Sequence, residues 1–206
     1  MSIVLVVLGA YLIGGIPFSY IAGKLAKGID LREHGSGNLG ASNTYRILGG
    51  RIGLLVLLLD IAKGLIPVTV AATFDAYGAE PVHAIAAAAG AILGHLFSPY
   101  LKFSGGKGIA TSAGAFAGLA PWAFLCAFGV FAAVFARRRI VSLASLSAAV
   151  TLPIAAWVLP GFGLGLRHRS LMWVSTLVMV VVIVKHRGNI QRLRAGTEPA
   201  LARRKG

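Results

Sequence analysis

"IGLLVLLLDIAKGLIPVTVAATF", Ile52–Phe74, is apolar over a length that crosses a bilayer, which takes about 20 residues of helix. It carries one acid, Asp60, and one base, Lys63. Apolar runs recur outward from it on both sides, at Ile3–Gly23, Val82–Pro99, Ile109–Ala136, Ile140–Leu159 and Ser170–Val184. Of 206 residues, 57% are hydrophobic and only 13% charged, about half the charged share of a soluble domain. Mean hydropathy is +0.80. These features predict an all-α integral membrane protein, one polytopic domain over residues 1–206, with little room for a soluble part. The first basic residue is Lys24, so the start lacks the charged n-region of a cleavable signal, and residues 3–23 read as a retained span.

The same run rules out an attractive alternative. "GSGNLGASN", Gly35–Asn43, contains G-x-G-x-x-G, and Asp60 follows about twenty residues later, as a dinucleotide-binding fingerprint asks. That motif works only between a strand and a helix of a βαβ unit. Here a polar segment, Lys24–His34, precedes the glycines, and Asp60 lies inside an apolar helix, out of reach of a ribose on the Gly35 loop.

Charge placement predicts the topology. The fourth run, Ile109–Ala136, is interrupted by Gly118 and Pro121 and divides at Ala120–Pro121 into two short halves. That division gives about seven transmembrane helices, with the N-terminus outside and the C-terminus cytoplasmic. The cytoplasmic side then holds Lys24, Lys27, Arg32, Arg46 and Arg51, then Lys102 and Lys107, then Arg137–Arg139, then the basic tail. Only Lys63, Arg167 and Arg169 fall elsewhere, in keeping with the positive-inside rule. The polar segments all converge on that face. No repeat of fixed period indicates an inverted-repeat transporter.

The formal net charge of +14 is accounted for by that bias, by anionic lipid headgroups and by phosphorylated substrates. No basic stripe interleaved with aromatics points to nucleic acid. Cys126 stands alone in an apolar run and reads as a packed, inert thiol. Asp60 and Lys63, three apart, read as a structural intramembrane pair. His83 and His95 have no acid or Cys at metal-ligand spacing, so no metal or other cofactor is expected.

Two segments read as oxyanion sites. In "FSGGKGIAT", Phe103–Thr111, Gly105, Gly106 and Gly108 let backbone N–H groups turn toward an anion, Lys107 adds a point charge, and a helix starts at Ile109. Leu101 stands where a Walker-type P-loop needs its first glycine, so this is not that motif. In "GSGNLGASNTYR", Gly35–Arg46, Ser36, Asn38, Ser42, Asn43 and Thr44 offer neutral hydrogen-bonding groups, and Ser42 or Asn43 can cap a helix leading into Arg46. The tail "HRGNIQRLRAGTE", His186–Glu198, places His186 at the end of the last span, with Asn189 a turn later. Arg192 and Arg194 read as membrane-interface anchors. Ser142, one turn into a span, is expected to bond its own helix backbone.

Together, "GSGNLGASN", "GHLFSPYLKFSGGKG" and "HRGNIQRLRAGTE", in this order and over nearly the whole chain, resemble the bacterial membrane acyltransferases that make lysophosphatidic acid from acyl phosphate and glycerol 3-phosphate. The resemblance implies a seven-helix protein of the bacterial cytoplasmic (inner) membrane, with its active site facing the cytoplasm. It implies glycerol 3-phosphate, a fatty acyl phosphate and membrane lipids as partners, with the soluble enzyme that makes acyl phosphate as a further candidate. By that pattern Ser36, Gly37 and Asn38 hold the acyl phosphate with the Gly105–Gly108 loop. Lys107, Ser142, His186 and Asn189 are candidate catalytic residues, grouped with Arg46 around glycerol 3-phosphate. Asn43 joins the substrate-binding set, and Glu198 supports the tail.

An acyl phosphate is an already activated mixed anhydride, so direct transfer needs no covalent serine. No G-x-S-x-G elbow is present, and no His is followed by Asp five residues on. The proton acceptor is open between His186 and a phosphate oxygen of bound substrate. A competing reading, a transporter of phosphate or organic phosphates, predicts polar residues along a path through several spans, where the sequence offers Asp60 and Lys63.

Overall fold

The computed structural model describes residues 1–76, 79–164 and 168–201. Arg167, Arg203, Arg204 and Lys205, used in the topology argument, lie outside those residues. The described residues are helical with no strand, and they form two compact units, Met1–Leu119 and Ala120–Gly206.

The first unit contains α1 (Ile3–Gly15), α2 (Phe18–Lys27), α3 (Ala41–Leu48), α4 (Gly50–Ala72), α5 (Val82–Leu96) and α6 (Ile109–Leu119). The first apolar run is therefore not one regular helix. Pro17 lacks an N–H and excludes the helical conformation at the residue before it, and Ile16 is turned out at ψ 117°. The carbonyls released by this break would be costly in lipid without partners. Ser98 Oγ donates to Gly15 O at 2.7 Å, and Lys63 Nζ donates to Ile16 O at 2.8 Å. Ile3–Lys27 as a whole remains long and apolar enough to cross a membrane.

Small residues set the packing. A Cβ on Gly90 of α5 would run into the Val7 carbonyl of α1, and one on Gly64 of α4 would meet the Thr111 backbone of α6. Lipid is as apolar as a side chain, so helix association relies on such close backbone approach. On α4 the buried positions Val56, Asp60, Lys63, Gly64 and Val68 share one face, while Leu54, Leu55, Leu58 and Ile66 are exposed. Asp60 Oδ1 and Lys63 Nζ lie 2.8 Å apart with both side chains buried, the pair expected from their spacing. Asp75 caps α5, accepting from His83 N at 2.9 Å and Ala84 N at 3.1 Å.

The second unit contains α7 (Pro121–Arg138), α8 (Val141–Val158), α9 (Arg169–Lys185) and α10 (Arg187–Arg194). The chain breaks at Ala120, with Pro121 in the first turn of α7, where a missing N–H costs nothing. The halves are unequal: α6 has 11 residues, about 16 Å of rise, and α7 has 18. Among the described residues, five stretches are long and apolar enough to cross a membrane, or six if α9 and α10, bent by 62°, count together. Cys126 is exposed, not packed, because α7 buries its Ala123 and Ala127 face and turns Leu125, Cys126 and Phe128 outward. Trp157 and Trp173 meet edge to face at 5.5 Å, joining α8 to α9.

Candidate functional site

The first glycine loop is held by one side chain. Asn43 is buried; its Oδ1 accepts from Ser36 N at 2.9 Å, and its Nδ2 donates to the carbonyls of Leu31 at 3.1 Å and His34 at 3.0 Å. Neither Asn43 nor Ser42 caps α3. Gly40 stands at the cap with no side-chain bond, because the Asn43 amide is committed to the loop. Gly35 and Gly37 take φ of +62° and +68°, a region that L side chains avoid. Gly37 N–H is also spent internally, on His34 O. Ser36 and Gly37 are exposed and Asn38 half-buried, while Arg46 sits half-buried in the last turn of α3. Ser19 and Thr44 share a buried 2.7 Å hydroxyl contact that ties α2 to α3.

The second loop is moulded onto α5. Gly106 N–H donates to His95 O at 3.1 Å. A Cβ on Gly105 would collide with the His95 carbonyl, and one on Gly106 with the His95 ring and the Leu39 carbonyl. These glycines are therefore required by close packing, and the Gly106 amide is used within the fold instead of facing an anion. Leu39 belongs to the first loop, so the two glycine loops touch. A cleft of about 10 Å³, the room of one water molecule, lies among Ser19, Asp60, Lys63, His95, Gly105 and Gly106. Lys107 is half-buried, Gly108 is buried at φ +81°, and α6 begins at Ile109 as expected.

In the second unit the tail folds onto the start of α8. Glu198 Oε1 accepts from Ser142 Oγ at 2.6 Å and from Asn189 Nδ2 at 2.5 Å, and Oε2 accepts from Arg192 Nε at 2.7 Å. Burial works to raise the Glu198 pKa, but the bonds from Ser142, Asn189 and Arg192 outweigh it and hold the carboxyl below its ordinary value. Ser142 thus bonds a residue far along the chain instead of its own helix, and Arg192 is an ion-pair partner rather than only an interface anchor. Leu201 N donates to Arg139 O at 2.8 Å, closing the tail over the α7–α8 turn. His186, buried at the α9–α10 bend, has Nδ1 2.8 Å from Val182 O. A carbonyl only accepts, so Nδ1 carries a proton and donates it to Val182 O.

The structure joins Ser36 to Asn43 in one loop, Gly105 and Gly106 in another, and Ser142, Asn189 and Glu198 in a third cluster. The sequence alone does not mark His95, Thr111 or Arg192 as site residues. The "GHLF" preceding the glycine loop was the available signal for His95, but its role depends on a fold-back that no local spacing encodes.

A profile of the glycerol-3-phosphate acyltransferase family matches residues 4–196. The chain is 40% identical over 202 residues to the glycerol-3-phosphate acyltransferase of Geotalea daltonii, covering 98% of this chain and 99% of that one. It is 45% identical over 190 residues to that of Trichlorobacter lovleyi, covering 92% and 93%. The crystal structure of PlsY, an integral membrane glycerol 3-phosphate acyltransferase in its glycerol 3-phosphate form, superposes with a TM-score of 0.88 at 33% identity, covering 98% of this chain and 96% of that one. Its lysophosphatidic acid form gives 0.85 at 32% identity. An all-helical, strongly apolar chain with this degree of likeness along its whole length is an integral membrane protein of the glycerol-3-phosphate acyltransferase family.

Proposed function

We propose that the chain transfers a fatty acyl group from acyl phosphate to the 1-hydroxyl of glycerol 3-phosphate, giving lysophosphatidic acid and phosphate, without a covalent acyl-enzyme. The observation that carries this reading is the match to an acyltransferase crystallised with glycerol 3-phosphate and with lysophosphatidic acid. The hydroxyl oxygen attacks the acyl carbonyl carbon, the bond from that carbon to the phosphate oxygen breaks, and phosphate leaves with the electron pair. The hydroxyl proton passes to a phosphate oxygen or to Nε2 of His186.

The chain's own groups suit these tasks. Ser36, Gly37 and Gly106 do most of their backbone bonding inside the fold, so charge for the phosphates comes from Lys107 and Arg46, with the Ser36 and Asn38 side chains as neutral partners. Asn189 and His186 orient glycerol 3-phosphate. Ser142 is a poor nucleophile on chemical grounds: its proton goes to Glu198, whose depressed pKa makes it a poor base. The reaction takes place at the cytoplasmic face of the bacterial inner membrane, the side to which the positive-inside rule assigns the basic loops and where a soluble enzyme can deliver acyl phosphate.

The test is purified protein in lipid with labelled glycerol 3-phosphate and either palmitoyl phosphate or palmitoyl-CoA. Lysophosphatidate from the acyl phosphate alone is the expected result. Product from palmitoyl-CoA alone overturns the donor assignment, and no product from either overturns the reading as a whole.

A further inference from the structure

Beneath the second glycine loop lies a buried polar chain to which the acyl-transfer chemistry assigns no task. His95 is 7% exposed, and its Nδ1 is 3.1 Å from the hydroxyl of Thr111, itself fully buried. Asp60 Oδ1 stands 3.8 Å from the same nitrogen, too long for a hydrogen bond but close enough to bias the ring electrostatically. Asp60 is paired with Lys63, which caps the broken end of α1 at Ile16 O.

Contacts from His95 fall on both sides of Lys107. On one side its carbonyl accepts from Gly106 N–H, and its ring fills the space a Gly106 Cβ would need. On the other its ring nitrogen engages Thr111, in the first turn of α6. A lysine between two anchored neighbours leaves the backbone at a defined point and in a defined direction. One residue fastened to both neighbours fixes that point with respect to α5. Thr111 is in turn packed on α4, where its carbonyl occupies the space beside Gly64.

We propose that His95 is a positioning residue: held by Thr111 and biased by Asp60, it sets the Gly105–Gly108 turn and so the placement of the Lys107 ammonium against substrate phosphate. The inference rests on the acyltransferase reading and on Lys107 facing glycerol 3-phosphate. It differs from mere core filling in what it predicts. A filler's loss lowers stability, whereas a positioning residue's loss raises KM for the anion in protein that is still folded.

The experiment uses full-length protein in lipid and four variants. Thr111→Val keeps the shape and removes the hydroxyl, and Thr111→Ser restores the hydroxyl. His95→Gln places an amide near the Nε2 position and leaves nothing at Nδ1. The fourth combines His95→Gln with Thr111→Val. Losing one buried hydrogen bond that acts through binding corresponds to about a three- to tenfold change. Thr111→Val is expected to raise KM for glycerol 3-phosphate by that factor, with kcat within about twofold and an unfolding temperature only a few degrees below wild type, the cost of one buried hydrogen bond. Thr111→Ser is expected to return to wild type, and Thr111→Val to add nothing in the His95→Gln background. An unchanged KM in Thr111→Val overturns the proposal. So does failure of Thr111→Ser to restore, or independent, multiplicative losses in the double variant. A wild type that binds labelled glycerol 3-phosphate but turns over no acyl phosphate refutes the donor assignment alone. The same cycle, read as binding of labelled glycerol 3-phosphate, then decides the role of His95.

Discussion

Replacing Glu198 separates two contributions that its three bonds make together. In Glu198→Gln the amide oxygen can occupy the Oε1 position and keep the bonds from Ser142 and Asn189, while its NH₂ faces the Arg192 guanidinium. Arg192 is 45% exposed, so water compensates much of that loss, and the cost is about 1 kcal/mol or less. Glu198→Ala also removes the acceptor of the Ser142 hydroxyl and of one Asn189 N–H, both side chains more than nine-tenths buried. Losing such an acceptor costs about 1–3 kcal/mol, so the alanine variant loses about 3 kcal/mol of tail docking, a factor of about 150. Hydrogen exchange followed by mass spectrometry over Arg187–Leu201 reads this directly, because the tail opens locally before the spans do. Protection is expected to fall about a hundredfold in Glu198→Ala and less than about tenfold in Glu198→Gln. The pH dependence follows with a definite sign. The folded pKa of Glu198 is depressed, so its stabilisation is present above the ordinary glutamate range and is lost as pH falls through the folded value. Wild-type tail protection should therefore drop on acidification, whereas in Glu198→Gln it should not. Equal protection in the alanine and wild-type chains, or equal loss in the alanine and glutamine variants, would refute the assignment of tail docking to these bonds.

Lys107→Ala is expected to reduce kcat/KM more than about a hundredfold with an unchanged unfolding temperature, whereas Arg194→Ala should stay within about twofold; acyl-transfer assays on folded protein check both. Gly106→Ala drives a Cβ into the His95 ring and the Leu39 carbonyl, an overpacking of about 1–3 kcal/mol. Gly129→Ala, with open space around it, should be neutral or slightly stabilising, by thermal unfolding in detergent. Lys63→Met leaves Asp60 buried and unpaired, costing about 3–5 kcal/mol. Adding Asp60→Leu is expected to recover much of that loss in the same unfolding assay, because the stranded charge goes with it.

The apolar runs, the break at Ala120–Pro121 and the Asp60–Lys63 pair could be read directly along the chain. Each depends on local composition or on spacing within one helix, and the bilayer length makes composition decisive. The two glycine loops and the tail were likewise visible as segments, since glycines beside isolated charges are unusual in so apolar a chain. Partners across long separations were not visible. Ser142 bonds Glu198 rather than its own backbone, Arg192 pairs with the same carboxylate, and Asn43 clamps the loop before it instead of capping the helix it begins. A hydroxyl, amide or guanidinium at a helix end has several local options of similar energy, and which one is taken depends on what the fold brings within 3 Å. The outward turn of Cys126 has the same origin: its helix is apolar on all sides, so composition cannot say which face the neighbouring helices cover. Residue type and spacing thus determined the membrane fold and marked the glycine-rich and basic segments proposed to carry the chemistry. Tertiary contact alone decided which polar groups hold those segments in place, because a hydrogen bond's partner is set by distance in space and not by distance along the chain.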